Sequence, residues 1–131
     1  MTTRMTTLTH KPSLQKLAKV HPHLQEIVLR AALLSPVEFI VTEGMRTKAR
    51  QEQLVAAGAS KTMRSRHLTG HAVDLAPLVD GKVRWDWPLF HQLAPAMKQA
   101  ALDLGYPLEW GGDWRTFKDG PHFQLPWKQY P

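Results

Sequence analysis

The sequence has no cysteine, which excludes disulfides and thiolate metal sites; any metal must be held by His, Asp, Glu, backbone or water. The same absence leaves the redox compartment open. No apolar run is long enough to span a bilayer. The Thr-rich stretch Met1–His10 lacks the apolar core of a signal peptide, so synthesis in a cytosol without an export route of its own is expected. Acidic residues are scarce: 11 Asp and Glu against 17 Lys and Arg give a formal net charge of +6. A basic balance suits an anionic partner, whether cell wall, membrane surface or nucleic acid. Apart from Lys48–Arg50 and Lys61–Arg66 the basic residues are scattered. No Arg/Lys stripe alternates with aromatics, so nothing argues for nucleic-acid readout. There is no internal repeat and no low-complexity segment.

What is present fits one domain over residues 1–131, with 1–10 as a flexible tail. Hydrophobic residues make up 43% and charged residues 21%, a globular composition. Ser13 precedes Leu14, Leu17, Ala18 and Val20 and predicts an N-capped helix. A second helix is expected over Pro22–Leu34, ended by Ser35-Pro36. Val37–Val41 reads as a buried strand, and Thr47 as the cap of a helix through Ala57 that Gly58 ends. Residues 59–66 read as a loop, and Ala72–Leu78 as a strand. Asp80-Gly81 predicts a hairpin into Val83–Trp85. Asp86–Leu104 reads as a long helix closed by Gly105, with Pro95 expected to kink or break it. Short strands at 108–110 and 122–125 flank a loop rich in Gly and Trp. Hairpins dominate and no βαβ series appears, which favours an α+β fold with a small, mostly antiparallel sheet flanked by helices.

Two segments carry chemistry. In Ser65-Arg66-His67-Leu68-Thr69-Gly70-His71-Ala72-Val73-Asp74, Gly70 permits a turn that folds the imidazole of His67 back onto the carboxylate of Asp74. In Asp119-Gly120-Pro121-His122 a second carboxylate and imidazole stand together at a strand start. Three protein ligands and a water make an open, catalytic zinc site. Zinc brings the pKa of such a water to about 7, a nearby carboxylate can take its proton, and a cation can stabilise the oxyanion that develops. The chain offers His67, Asp74 and His122 as ligands, Asp119 as base and Arg46 as cation, although composition alone does not select them among seven histidines. His10, His21, His23 and His91 read as ordinary surface or core histidines. Strand alternation points His71 away from Asp74.

The pattern S-x-H-x-x-G-x-A-x-D, followed much later by D-x-x-H, resembles the M15-type metallopeptidases: D,D- and L,D-peptidases, vancomycin-resistance dipeptidases and phage endolysins acting as L-alanyl-D-glutamate peptidases. Ser65, His67, Gly70, Ala72 and Asp74 match the first motif, and Asp119 and His122 the second. Glu43-Gly44-Met45-Arg46-Thr47 resembles the segment that supplies the family's arginine, and Trp110-Gly111-Gly112-Asp113-Trp114 the loop before the last motif. The resemblance covers roughly residues 13–125. It implies a hedgehog/D,D-peptidase-like fold and one Zn(2+) per chain on His67, Asp74 and His122. It also implies Asp119 as general base, Arg46 on the scissile carbonyl oxygen and Ser65 in support. The base position usually holds Glu in the carboxypeptidases and often Asp in endolysins, so Asp119 points to the latter.

The function so implied is hydrolysis of peptidoglycan stem peptides at the L-alanyl–D-glutamate bond by a phage or prophage endolysin. The chain would be monomeric, made in the host cytoplasm and brought to the wall after a holin permeabilises the membrane. The alternatives are a D-alanyl-D-alanine or L,D-carboxypeptidase and, in another class, a hedgehog-like binding module with an idle zinc site. Trp110 and Trp114 are candidates to line the cleft, Trp85 and Trp87 read as core or rim packing, and Arg64 and Arg66 as solvated or in contact with substrate carboxylates. Asp113 could orient a ligand or cap its loop.

Overall fold

The structure is a computed structural model, and it describes residues 8–131. Three helices cover one face of a small antiparallel sheet. Helix α1 spans Lys11–Leu17, α2 Pro22–Leu34, α3 Lys48–Ala56 and α4 Trp87–Leu104. Strand β1 spans Glu38–Glu43, β2 Ala72–Val79, β3 Lys82–Val83, β4 Glu109–Trp110 and β5 His122–Gln124. The strand order is β1-β2-β5-β4, with β3 paired to β2. The fold is therefore α+β with a mostly antiparallel sheet, as the run of hairpin signals implied.

The two faces of the sheet divide by residue parity, because successive side chains of a strand point to opposite sides. Phe39, Val41, Val73, Leu75, Phe123 and Leu125 are buried in the hydrophobic core with Leu24, Ile27 and Val28 of α2 and Leu93 and Met97 of α4. The even positions Asp74, His122 and Gln124 point the other way. β2 and β5 pair in the register Val73↔Phe123 and Asp74↔His122, and β1 adds Glu43↔Asp74 across a local bulge. Three polar side chains from three strands thus form one row across the sheet.

Several local signals act as read. The Thr47 hydroxyl accepts from the Arg50 amide at 3.1 Å and caps α3. Asp80 and Gly81 both have positive φ (53° and 78°), the geometry of a tight hairpin turn. Gly105 closes α4 at φ 78°.

Others differ. Ser13 is not the cap of α1: the helix begins earlier, and the His10 imidazole accepts from the Ser13 amide at 3.2 Å. Ser13 is buried instead, and its hydroxyl accepts from the Val41 amide at 2.8 Å, tying α1 to β1. Of the expected tail, residues 1–7 lie outside the described residues, and Leu8 is buried in the core. Strand β3 stops at Val83 rather than reaching Trp85. Pro95 does not end α4, which runs through it for 18 residues. Pro95 lies on the exposed side of the helix, where water can satisfy the carbonyl that loses its partner.

Candidate metal centre and active-site cleft

The first ligand segment forms a single 3₁₀ turn, Arg66–Thr69. The Ser65 hydroxyl accepts from the His67 amide at 3.2 Å and starts the turn; Gly70, at φ 74°, ends it. A side chain at Gly70 would be strained by that φ, and its Cβ would also stand 3.1 Å from the Lys19 carbonyl oxygen. The turn delivers His67 to the sheet face that bears Asp74. His122 arrives beside Asp74 by direct cross-strand pairing.

The three side chains converge. Asp74 Oδ1 lies 3.2 Å from His67 Nε2 and 3.4 Å from His122 Nδ1. One ligand atom from each residue falls within 4.8 Å of the others. Tetrahedral zinc with arms of about 2.1 Å places its ligand atoms about 3.4 Å apart, so these separations suit a divalent ion.

The far sides of both rings are fixed as well. His67 Nδ1 donates to the Gly44 carbonyl at 2.8 Å. Gln124 Nε2 donates to Glu109 Oε2 at 3.1 Å, which leaves the Gln124 oxygen to accept from His122 Nε2 at 2.7 Å. Each neutral ring therefore turns a lone pair towards the Asp74 carboxylate. That arrangement needs a proton or a cation at its centre, and outer hydrogen bonds of this kind orient metal-binding histidines. The donor set fits a divalent metal.

The electrostatics point the same way. Burial alone would raise the pKa of Asp74, but the hydrogen bonds and charges of His122 and His67 hold it well below the usual carboxylate range. Burial pulls His122 down, yet its bond to Asp74, the Asp74 charge and Gln124 together raise it. Asp119 is raised by burial, reinforced by the negative charge of Asp74.

Around this cluster lies a cleft of about 780 Å³, lined among others by Arg46, Asp119 and Trp114. Arg46 is held rigidly: Nε and Nη2 donate to the two oxygens of Glu43 at 2.7 and 2.6 Å, and Nη1 donates to Gln51 Oε1 at 2.6 Å. Its Nη2 stands 3.9 Å from Asp74 Oδ2. Glu43 and Gln51 were not singled out from sequence; Gln51 falls on the first turn after the Thr47 cap, facing back to Arg46. The Asp119 amide donates to the Gly111 carbonyl at 3.0 Å. A Cβ at Gly111 would come 2.4 Å from the Asp119 carbonyl oxygen, so the glycine permits this close approach.

The family model for phage L-alanyl-D-glutamate peptidases matches residues 5–125. The chain belongs to that family. The peptidase is 40% identical over 113 residues to an L-alanyl-D-glutamate peptidase of Escherichia phage T5, covering 83% of this chain and 82% of the relative. It is 41% identical over 95 residues to an L-alanyl-D-glutamate peptidase of Listeria phage A118, covering 72% of this chain and 32% of that protein. The crystal structure of the Serratia marcescens L-Ala D-Glu endopeptidase ChiX superposes with a TM-score of 0.90 at 48% identity, over 94% of this chain and 92% of that one.

The other expected site residues divide. Trp114 lines the cleft, with its ring 5.1 Å from that of His122. Trp110 is buried and does not line it; its indole nitrogen donates to the Gly120 carbonyl at 2.7 Å and its ring stacks on Phe123, so it supports the last-motif loop from beneath. Asp113 pairs at the surface with Lys98 at 2.7 Å, away from the metal ligands. Trp85 and Trp87 are exposed rim residues near Phe90. His71 sits apart, with its ring near His21 and Tyr130.

Arg66 overturns expectation. It is not solvated but buried; Nε and Nη2 donate to the carbonyls of Leu125 at 3.2 Å and Tyr130 at 2.5 Å, and its guanidinium lies over Trp127. Trp127, outside every motif read from sequence, lines the cleft.

Proposed function

We propose that the chain is a zinc-dependent endopeptidase that hydrolyses the L-alanyl–D-glutamate bond of peptidoglycan stem peptides. The observation that carries this reading is the convergence of His67, Asp74 and His122, with both outer ring nitrogens already committed to acceptors. Zinc held there supplies Lewis acidity at neutral pH. Asp119, in the same cleft, accepts a proton from the attacking water and returns it to the amine of the departing D-glutamate. Its raised pKa makes it a stronger base than an ordinary carboxylate. Arg46 has donors left after binding Glu43 and Gln51. It directs them at the carbonyl oxygen as negative charge gathers there. Glu43 offsets the charge of Arg46 and fixes its plane, so Arg46 acts as an oriented donor.

The specific bond is supported by the activities for which the T5, A118 and ChiX relatives are named and by Bacillus subtilis CwlK, a peptidoglycan L-alanyl-D-glutamate endopeptidase 32% identical over 110 residues. The two phage relatives support a lytic role; we further propose a monomeric enzyme made in the host cytoplasm and admitted to the wall by a holin. No helix among the described residues is long and apolar enough to cross a membrane.

Digestion of purified peptidoglycan, read by mass spectrometry, tests the reading. The expected product is stem peptide with a new glutamyl amino terminus, absent when a chelator is added. Release of free D-alanine from otherwise intact stems overturns the assigned bond. Asp119→Ala should keep its metal yet lose roughly 10²–10⁴ in kcat; an unimpaired variant removes Asp119 from the role of base.

A further inference from the structure

Beyond the proposed metal ligands and the already engaged Arg46 and Arg66, the cleft is bordered by the cations Lys61, Arg64 and Lys118, and by Trp127. Arg30, Arg46, Arg84 and Lys98 each have a carboxylate partner, whereas none of these three does among the described residues. Unpaired cations at the mouth of a catalytic cleft attract anionic groups of a ligand.

Lys61 also lies over a ring, 5.6 Å from the centre of the exposed Phe117, but Arg64 differs in that its ring is itself held by the fold. Its guanidinium carbon lies 5.3 Å from the centre of the Trp127 ring. Trp127 is itself held in place, because the buried Arg66 stacks on it at 4.0 Å and grips the backbone on both sides through Leu125 and Tyr130. Tyr130 is tied further by a 2.8 Å hydrogen bond between its hydroxyl and His23 Nδ1. The backbone of Arg64 is anchored too: its amide donates to the Thr62 hydroxyl at 2.9 Å, and the Thr62 carbonyl accepts from Gln51, the residue that also holds Arg46. A guanidinium held beside an aromatic ring, with no carboxylate partner of its own, keeps donors free for two parallel hydrogen bonds to a carboxylate. Arg46 is committed elsewhere: three of its donors hold Glu43 and Gln51, and those that remain serve the carbonyl oxygen in the peptidase reading.

Resting on the peptidase reading, we propose that Arg64, on its Trp127 platform, is a specificity-determining residue that binds a free carboxylate of the stem peptide. Two carboxylates share this chemistry: the α-carboxylate left free by the γ-linked D-glutamate, and the side-chain carboxylate of the next residue where that residue is a diamino diacid. Amidation of the wall at the recognised position would then protect it.

Product binding tests the idea without requiring cleavage. Isothermal titration is carried out with γ-D-glutamyl-diamino diacid, its backbone C-terminus blocked as an amide, in three forms: both remaining carboxylates free, the glutamyl α-carboxylate amidated, or the side-chain carboxylate of the second residue amidated. The wild-type chain should bind the free form about tenfold more tightly than one of the amides, and that amide identifies the carboxylate. Arg64→Gln should bind all three with the weaker affinity, with an unchanged thermal midpoint because Arg64 is exposed. Equal affinity of the wild type for all three forms, or a preference that survives in Arg64→Gln, overturns the proposal. Cleavage of an intact L-alanyl-γ-D-glutamyl peptide is scored separately and judges the peptidase reading alone.

Discussion

The two faces of the β2–β5 ribbon have the same backbone and opposite purposes. One face presents Val73, Leu75 and Phe123 to three helices and is wholly buried. The other presents Asp74, His122 and Gln124 to a cleft, and its members are held by directed hydrogen bonds. Neighbouring residues in sequence therefore serve different ends: Phe123 carries stability, and His122 beside it carries chemistry. Loss of the His122 side chain should therefore remove function without unfolding the chain, and loss of the Phe123 side chain should do the reverse.

His122→Ala breaks the comparison on the cleft side. It should cost on the order of 10³-fold or more in peptidase activity, since the metal and the nucleophile it activates are lost together. Far-ultraviolet circular dichroism should be unchanged; an unfolded variant would erase the division between the faces. Phe123→Ala breaks it on the other side, with about 3–5 kcal/mol lost in denaturant unfolding. Metal affinity measured on its remaining folded fraction should match the wild type.

Gln124→Leu sharpens the comparison, because Gln124 faces the cleft without being a ligand. Freeing the outer nitrogen of His122 should weaken metal binding about 10–100-fold, read by competition with a chromophoric chelator, with little change in thermal midpoint before metal is added. Acid probes the same pair. In the metal-free fold His122 holds its proton to higher pH than a free imidazole, because Asp74 outweighs burial. Metal must displace that proton, so below the raised pKa the affinity should fall by up to about tenfold per pH unit from this ligand. A pH-independent affinity would remove His122 from the ligand set. The smallest effect is expected away from both faces: Thr47→Ala should cost about 1 kcal/mol through the lost cap of α3, with kcat unaltered.

What could be read in the sequence follows the range of the forces involved. Asp80-Gly81, Thr47 and Gly105 act within a few residues, and each is found where its own chemistry puts it. The convergence of His67, Asp74 and His122 was legible because the motif records a constraint that spans the chain. Ser13 was misread because a hydroxyl before an apolar stripe looks like a cap; its real partner is the Val41 amide, 28 residues away. Pro95 does not break α4, because its place on the water-facing side of the helix is a matter propensity ignores. Arg66 was taken for one of a run of surface cations, and only the folded tail reveals that Leu125, Trp127 and Tyr130 enclose it. Glu43, Gln51, Glu109 and Gln124, which orient the site, carry no local signal of that role.

The pairing of Asp74 with His122 also bears on when the enzyme comes alive. A ribosome making this chain emits the proposed ligands His67 and Asp74 well before His122, which follows Asp74 by 48 residues (122 − 74). Until β5 docks, a partial product has no complete cradle for the ion, so the cell is not exposed to a working wall-cutting activity from unfinished copies.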